Sequence, residues 1–537
     1  MFKKWKRIVK KAFVKPRNES QAIGSGESKE PVSANLNKNM THLKAVFDRC
    51  TDIIFREFEA AIGGGVKIAM VYIDGLVNKE MLTEDLVKTL MYDVSSLNSS
   101  APVNDPAGYL SSRIIAFTEV KVQDNLMDAV HSVLSGETIL FVDGVDKAFA
   151  LSTQDWVQRA VTEPATENVV RGPREGFTEN LQTNYTLIRR RIKSSRLKFE
   201  TMKIGAITKT AVSIGYLEGI VNNKIVDEVR NRLQRIDIDG ILESGYIEEY
   251  IEDAPMTVFP TVQATERPDK VAGGLLEGQV VILVDTTPFA LLVPVTFPQL
   301  LQASEDYYLR WPFASFIRFI RFVTLNIALL APPLYIAITT YHQEMLPTPL
   351  LISIAAAREG VPFPAFVEAM LMETTFEVLR EAGVRLPKAV GQAVSIVGAL
   401  VIGDAAVSAG LVSPAMVIIV ALTAISSFSL PSYFGAFSLR ILRFPLMAMA
   451  AALGLFGVMA GLLALLIHLC SLRSFGVPYI SPLAPTSWRD LKDMFFRAPW
   501  WSMFTRPRMT GIKEPARQDY MQKPRPPGRR PGSGSGK

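Results

Sequence analysis

Residues 67–87 read KIAMVYIDGLVNKEMLTEDLV, and 142 residues later, at 209–229, the chain reads KTAVSIGYLEGIVNNKIVDEV. The first stretch reads as a strand and turn (VKIAMVYIDGLV) followed by a helix (NKEMLTEDLVKTLM), and the second follows the same pattern. A second pair, SGETILFVDGVDKAFAL (135–151) and EGQVVILVDTTPFALLV (277–293), recurs at the same offset. Self-similarity at a fixed offset is the signature of a duplicated unit. The first half of the chain is therefore expected to be two copies of one α/β unit, each ending in a strand–turn–strand around VDG or VDTT. Two similar lobes leave a cleft, and clefts between domains commonly hold ligands. The repeat also settles a hydropathy question. QVVILVDTTPFALLVPVTF (279–297) is apolar enough to suggest a membrane span, but its counterpart at 138–151 carries Asp143, Asp146 and Lys147. Residues 279–293 are thus expected as a buried hairpin with Asp285 in its turn.

The composition divides in the same place. The 537 residues are 48% hydrophobic with a net charge of +6, but residues 1–310 carry charge throughout, whereas 311–472 is dominated by Leu, Ala, Ile, Val and Phe. Residues 1–38 are expected to form a basic, Gly- and Ser-containing disordered tail. Lys3, Lys4, Lys6, Arg7, Lys10 and Lys11 interleave there with Trp5, Ile8 and Val9, which suits either a short interfacial helix or a solvated tail. No apolar signal-peptide core follows the basic start, so the soluble half is expected in the cytoplasm. The basic ends beside membrane spans mark the cytoplasmic side and need no nucleic acid. Two cysteines, Cys50 and Cys470, imply no disulfide framework. The expected division is a tail (1–38), α/β lobe 1 (39–170), α/β lobe 2 (171–310), a helical membrane domain of four to six spans (311–472) and a basic cytoplasmic tail (473–537).

A span needs about 20 mostly apolar residues. Residues 322–343, 389–411, 414–431 and 444–470 qualify in whole or in part, and Pro332 and Pro333 are expected to break or kink the first. The stretch 349–386 is amphipathic instead. Glu373, Glu377 and Glu381 recur every fourth residue and form an acidic stripe whose like charges repel in an isolated helix. The stripe requires water, Arg380 or Arg385, or a passing cation. It fits a helix on the membrane surface, or a re-entrant or pore-lining helix that favours cations. Asp404 is a carboxylate within an expected span, flanked by small residues that also suit close packing. Lys388, Arg440 and Arg443 do not fit a simple four-span topology.

Catalytic signatures are absent from the sequence. His42, His131, His342 and His468 have no metal-ligand spacing, Gly63–Gly65 lacks a phosphate-loop pattern, and neither a GxSxG nor a P-loop occurs. No enzyme activity and no cofactor are expected. Arg171, Arg174 and Glu175 between the repeats, and Arg267 and Asp269 in TERPDK, are candidates for coupling the lobes.

PTVQATERPDKVAGGLLEGQVVILVDTTPFALLVP (260–294), the long run from PTPLLISIAAAREG to LTAISSF (347–428), LRFPLMAMAAALGLFG and IHLCSLRSFGVPYISPLAP resemble the A subunit of GerA-type spore germination receptors, as does RGPREGFTENLQTN (171–184). The one departure is Thr286, where Gly often follows the VD pair. The resemblance implies a subunit of the spore inner membrane, multi-pass, with both termini cytoplasmic. It implies a transporter-like B subunit and a lipoprotein C subunit as partners, and a homo-oligomer of A subunits forming a nutrient-gated monovalent cation channel. Glu373, Glu377, Glu381 and Asp404 are then the ion-path candidates. The alternatives are a secondary transporter-like protein, which broken helices would suit, an accessory A-like protein amplifying the germination signal, and a scaffold that only transmits it.

Overall fold

A computed structural model describes residues 30–60, 66–88, 119–155, 163–164, 166–385, 403–507, 511–519 and 522–524. The 3–11 stretch, Gly63–Gly65, Lys388 and most of the 389–411 span lie outside these. The chain divides into two compact units, an α/β unit (residues to 253, 262–295 and from 499) and a helical unit (254–261 and 296–498).

The α/β unit holds α1 (Leu36–Val46), β1 (Ile53–Ala60), β2 (Val66–Ile73), a π-type helix (Met81–Val87), β3 (Val120–Gln123), α2 (Leu126–Leu134), β4 (Thr138–Val142) and β5 (Ala148–Leu151). It continues with α3 (Leu181–Arg189), β6 (Leu197–Ile204), β7 (Thr210–Leu217), α4 (Asn223–Gln234), α5 (Ser244–Ile251), β8 (Gln263–Thr265), α6 (Pro268–Leu276), β9 (Val280–Val284) and β10 (Ala290–Val293). These form two antiparallel sheets of identical order, β1-β2-β4-β5-β3 and β6-β7-β9-β10-β8. The register repeats too, with β7 lying 144 residues after β2 and β9 142 after β4: Ile68 faces Val142 in one sheet and Val212 faces Val284 in the other. Both faces of the first sheet are covered, because Ala69, Val71 and Ile73 pack on one side and Ile68, Met70 and Tyr72 on the other, as the two-residue strand period requires.

The VD motif has a specific task in each copy. Asp143 Oδ1 accepts the Leu36 N–H at 3.2 Å and Asp285 Oδ1 accepts the Leu181 N–H at 3.2 Å. Each carboxylate thus meets an otherwise unpaired donor at the start of a helix. Asn35 and Asn180 cap the same helices with their side chains. The expected hairpin at 279–293 is present as β9 and β10, both fully buried. In its turn Thr286 takes the φ of +73° that Gly144, at φ +85°, adopts freely in the first copy.

The stretch expected as one tail, 473–537, divides between the units: 473–498 stay with the helical unit, and the later described residues (499–507, 511–519 and 522–524) join the α/β unit. There Arg506 donates from Nε to Leu276 O (2.8 Å), Arg517 pairs with Glu277 (2.6 Å) and Glu514 with Arg196 (3.1 Å).

The helical unit comprises α7 (Trp311–Tyr341), α8 (Thr348–Arg358), α9 (Ala365–Arg385), α10 (Gly403–Ser408), α11 (Pro414–Phe428) and α12 (Tyr433–Ser471). Among the described residues, α7 and α12 carry apolar runs long enough to cross a bilayer by length and composition. Two expectations need correction. Helix α7 is not broken at Pro332 and Pro333 but continues through them. Proline at 332 removes the hydrogen bond that Ala328 O would accept, and Arg443 Nε donates to that carbonyl instead, at 2.8 Å. The stretch 444–470, expected as one span, is broken at Gly454, which has φ +61° and ψ −141°. Its two sides fold back on each other. A Cβ at Gly457 would collide with Met449 O and one at Gly461 with Leu446, while Ser438 and His468 both bond to the 257–258 segment. Glycine serves here twice, for the left-handed turn and for close helix approach. The Tyr341 hydroxyl donates to Ala451 O (2.8 Å), a carbonyl freed by the break.

Candidate functional site

Two places gather charged side chains. The first is the junction of the two sheets within the α/β unit. The segment between α1 and β1 runs alongside β6: the Thr51 N–H donates to Phe199 O (3.1 Å) and the Phe199 N–H to Arg49 O (3.2 Å). Beneath it, Arg189 grips Asp52 with two parallel hydrogen bonds, Nε to Oδ2 at 2.7 Å and Nη2 to Oδ1 at 3.0 Å. Both side chains are 0% exposed. This fork-on-carboxylate geometry joins the lobes directionally.

Above that pair a crevice of about 460 Å³ is lined by Arg49, Thr51, Glu200, Thr201 and Arg230. Arg230 holds Glu200 (2.9 Å), and the Tyr216 hydroxyl donates to Glu200 at 2.6 Å. Burial and that hydrogen bond push the Tyr216 phenol up to about 12. Arg49, at φ +56°, reaches Tyr216 at 3.4 Å, donates from Nε to Asp48 at 3.1 Å and has a half-exposed side chain. The crevice thus offers hydroxyls and a half-exposed cation already shared by Asp48 and Tyr216, whose remaining donors suit a small carboxylate-bearing solute.

The coupling residues expected from the sequence lie elsewhere in lobe 2. Arg171 and Arg174 are exposed, with Arg174 3.9 Å from Glu163. Glu175 pairs with Arg190 (3.2 Å) and Arg191 (2.7 Å). Arg267 is buried, bonds Asp269 (2.9 Å) and donates to the Glu167 and Pro173 carbonyls. Glu163 and Glu167 fall within 39–170, so Arg174 and Arg267 do reach the end of the first lobe as the sequence delimits it, whereas Asp52–Arg189 is the buried ion pair that joins the two sheets.

The second place is inside the helical unit. The acidic stripe of α9 grades from buried to exposed. Glu373 is buried and paired with Arg443. Glu377 meets Arg440 (3.0 Å) and Arg380 (3.0 Å), and Arg380 also reaches Ser427 (3.2 Å). Glu381 is exposed and pairs with Arg385 (2.6 Å). Asp404 is exposed at the start of α10. One turn before the stripe, buried Glu368 bonds Arg358 (3.2 Å) and accepts the Ser413 N–H (2.9 Å). Sequence reasoning missed that Arg440 and Arg443 are the partners of the stripe. A signal was available: they lie one turn apart in an apolar run, as Glu373 and Glu377 do. Asp52 and Arg189, separated by 137 residues, left no such signal.

A family description, Bacillus/Clostridium GerA spore germination protein, matches residues 41–509. The chain is 48% identical to spore germination protein KA of Bacillus subtilis (strain 168) over 93% of its length and 91% of that protein. It is 45% identical to the uncharacterized membrane protein YfkQ of the same organism, over 91% of this chain and 94% of that one. A solved structure, the N-terminal domain of the A subunit of the Bacillus megaterium spore germinant receptor GerK3, is 38% identical, covering 50% of this chain and 99% of that one with a TM-score of 0.41. With the family pattern spanning both units, this chain belongs to the GerA family of spore germination proteins.

Proposed function

We propose that this chain is the A subunit of a nutrient germinant receptor, and that oligomers of it form a ligand-gated monovalent cation channel in the spore inner membrane. The chain works beside a transporter-like B subunit and a lipoprotein C subunit, crosses the membrane several times and keeps both termini in the cytoplasm. The channel reading rests on Glu373 and Glu377, two carboxylates held with their arginine partners inside a predominantly apolar helical unit. Ionisable groups in such surroundings are costly and mark ion paths far more often than soluble-protein carboxylates do. The inter-lobe crevice is the place in the α/β unit where a small carboxylate-bearing solute bears on gating.

The chain reconstituted with its B and C partners is expected to pass potassium when nutrient is added. Neutralising Glu373, Glu377 and Glu381 together is expected to suppress that flux. No flux from the intact complex, or full germination and ion release by the neutralised variant, would sink the channel reading.

A further inference from the structure

The arginines around the α9 carboxylates are placed as a permeating ion would be. Arg443 is almost fully buried, and its guanidinium lies between two oxygens from different helices, the Glu373 carboxylate and the Ala328 carbonyl at 2.8 Å. That carbonyl is open because Pro332 has no N–H to offer it. A carboxylate oxygen and a freed backbone carbonyl are the donors that a hard monovalent cation takes in exchange for water. One turn along, Arg440 pairs with Glu377, which Arg380 also bonds. Two carboxylates face three guanidinium groups, Arg380, Arg440 and Arg443, so the occupied cluster is net positive and repels a further cation. The network is also incompletely satisfied. Glu373 Oε1, Arg380 Nε, Arg440 Nε and Arg443 Nη2 are buried without a hydrogen-bond partner among the described residues. Unmade bonds of this kind leave a buried network poised to exchange partners.

We infer that Arg443, and with it Arg440, is a tethered cation that fills a monovalent-cation site built from Glu373, Glu377 and the Ala328 carbonyl. The site opens when the first part of α12, which carries both arginines, withdraws from α9. This rests on the channel reading above and adds how that path is closed.

The test uses the full receptor in spores and in proteoliposomes, with potassium or thallium flux as the readout and immunoblotting for abundance. Arg443→Ala leaves the oxygens and removes the plug; it is expected to leak cations without nutrient at least tenfold faster than the unaltered chain. Arg443→Lys keeps a cation in place and is expected to stay gated. Glu373→Gln/Arg443→Gln removes both charges, so no lone buried charge remains to prevent folding. It is expected to be silent without nutrient and to conduct less with it. Arg443→Ala at normal abundance without a leak overturns the inference. Should that variant not accumulate, the double variant decides: gating and nutrient-driven flux like the unaltered chain overturn it. An unaltered receptor that carries no cation at all refutes the channel reading instead, which separates the two failures.

Discussion

Replacing Asp52 by Ala tests what holds the lobes together. Arg189 is wholly buried, its Nε and Nη2 both donate to Asp52, and its Nη1 donates to Ser194 O at 3.2 Å. The substitution leaves a buried guanidinium without its counter-charge, a change worth about 3–5 kcal/mol. The intact pair is a different quantity. Desolvating both ions offsets most of their attraction, so Asp52→Leu/Arg189→Met is expected within about 1 kcal/mol of the unaltered chain. The amides that report the junction are those of Thr51 and Phe199, which donate across it. Hydrogen exchange of the detergent-solubilised full chain reads their opening. At 1.4 kcal/mol per decade, Asp52→Ala is expected to speed their exchange from about a hundredfold to several thousandfold, and the double variant less than about tenfold. The reasoning is refuted by acceleration under about fivefold in the single variant, or by equal acceleration in single and double.

Thr286→Gly relieves a β-branched residue of a left-handed backbone, a strain of about 1–3 kcal/mol, against a smaller gain in unfolded-state freedom. It is expected to raise the stability of the α/β unit by about 1 kcal/mol in urea titrations, and a loss would contradict the strain. Burial, then repulsion from Glu252, Glu243 and Glu249, raises the Glu248 carboxyl from 4.5 to about 7. A carboxyl raised on folding contributes stability below its unfolded value that is lost as pH climbs toward 7. Glu248→Gln is therefore expected to flatten the stability profile between pH 4.5 and 7 and to gain at neutral pH; an unchanged slope counts against it. Gly457→Val places a side chain where Met449 O already sits, and is expected to cost more than about 2 kcal/mol in detergent melting. Gly360→Ala, with open space at its Cβ, is the control that should leave melting unchanged.

Much of the α/β unit was legible before any coordinates. The repeat of 67–87 at 209–229 and of 135–151 at 277–293 anticipated two sheets, and the charges of 138–151 ruled out a span at 279–297. These are local signals: strand periodicity, turn chemistry and the recurrence of a short motif at one offset. The order β1-β2-β4-β5-β3 was not among them, because which strands pair depends on contacts far apart in sequence. The acids of α9 were recognised as needing partners, but their partners lie 63 and 70 residues away on α12.

What the sequence by itself determined, then, is the pattern that a chain must satisfy wherever it folds: a duplicated α/β half, an apolar helical half and carboxylates with unmet charge. What only the tertiary structure decided is how those demands are met. Asp52 finds Arg189, Glu373 finds Arg443, the Pro332-freed carbonyl finds the same arginine, and Gly454 turns one apolar run back on itself. A buried charge or open carbonyl states its need locally, but low-dielectric surroundings make the need costly enough to be met by whichever distant group the fold brings within bonding distance.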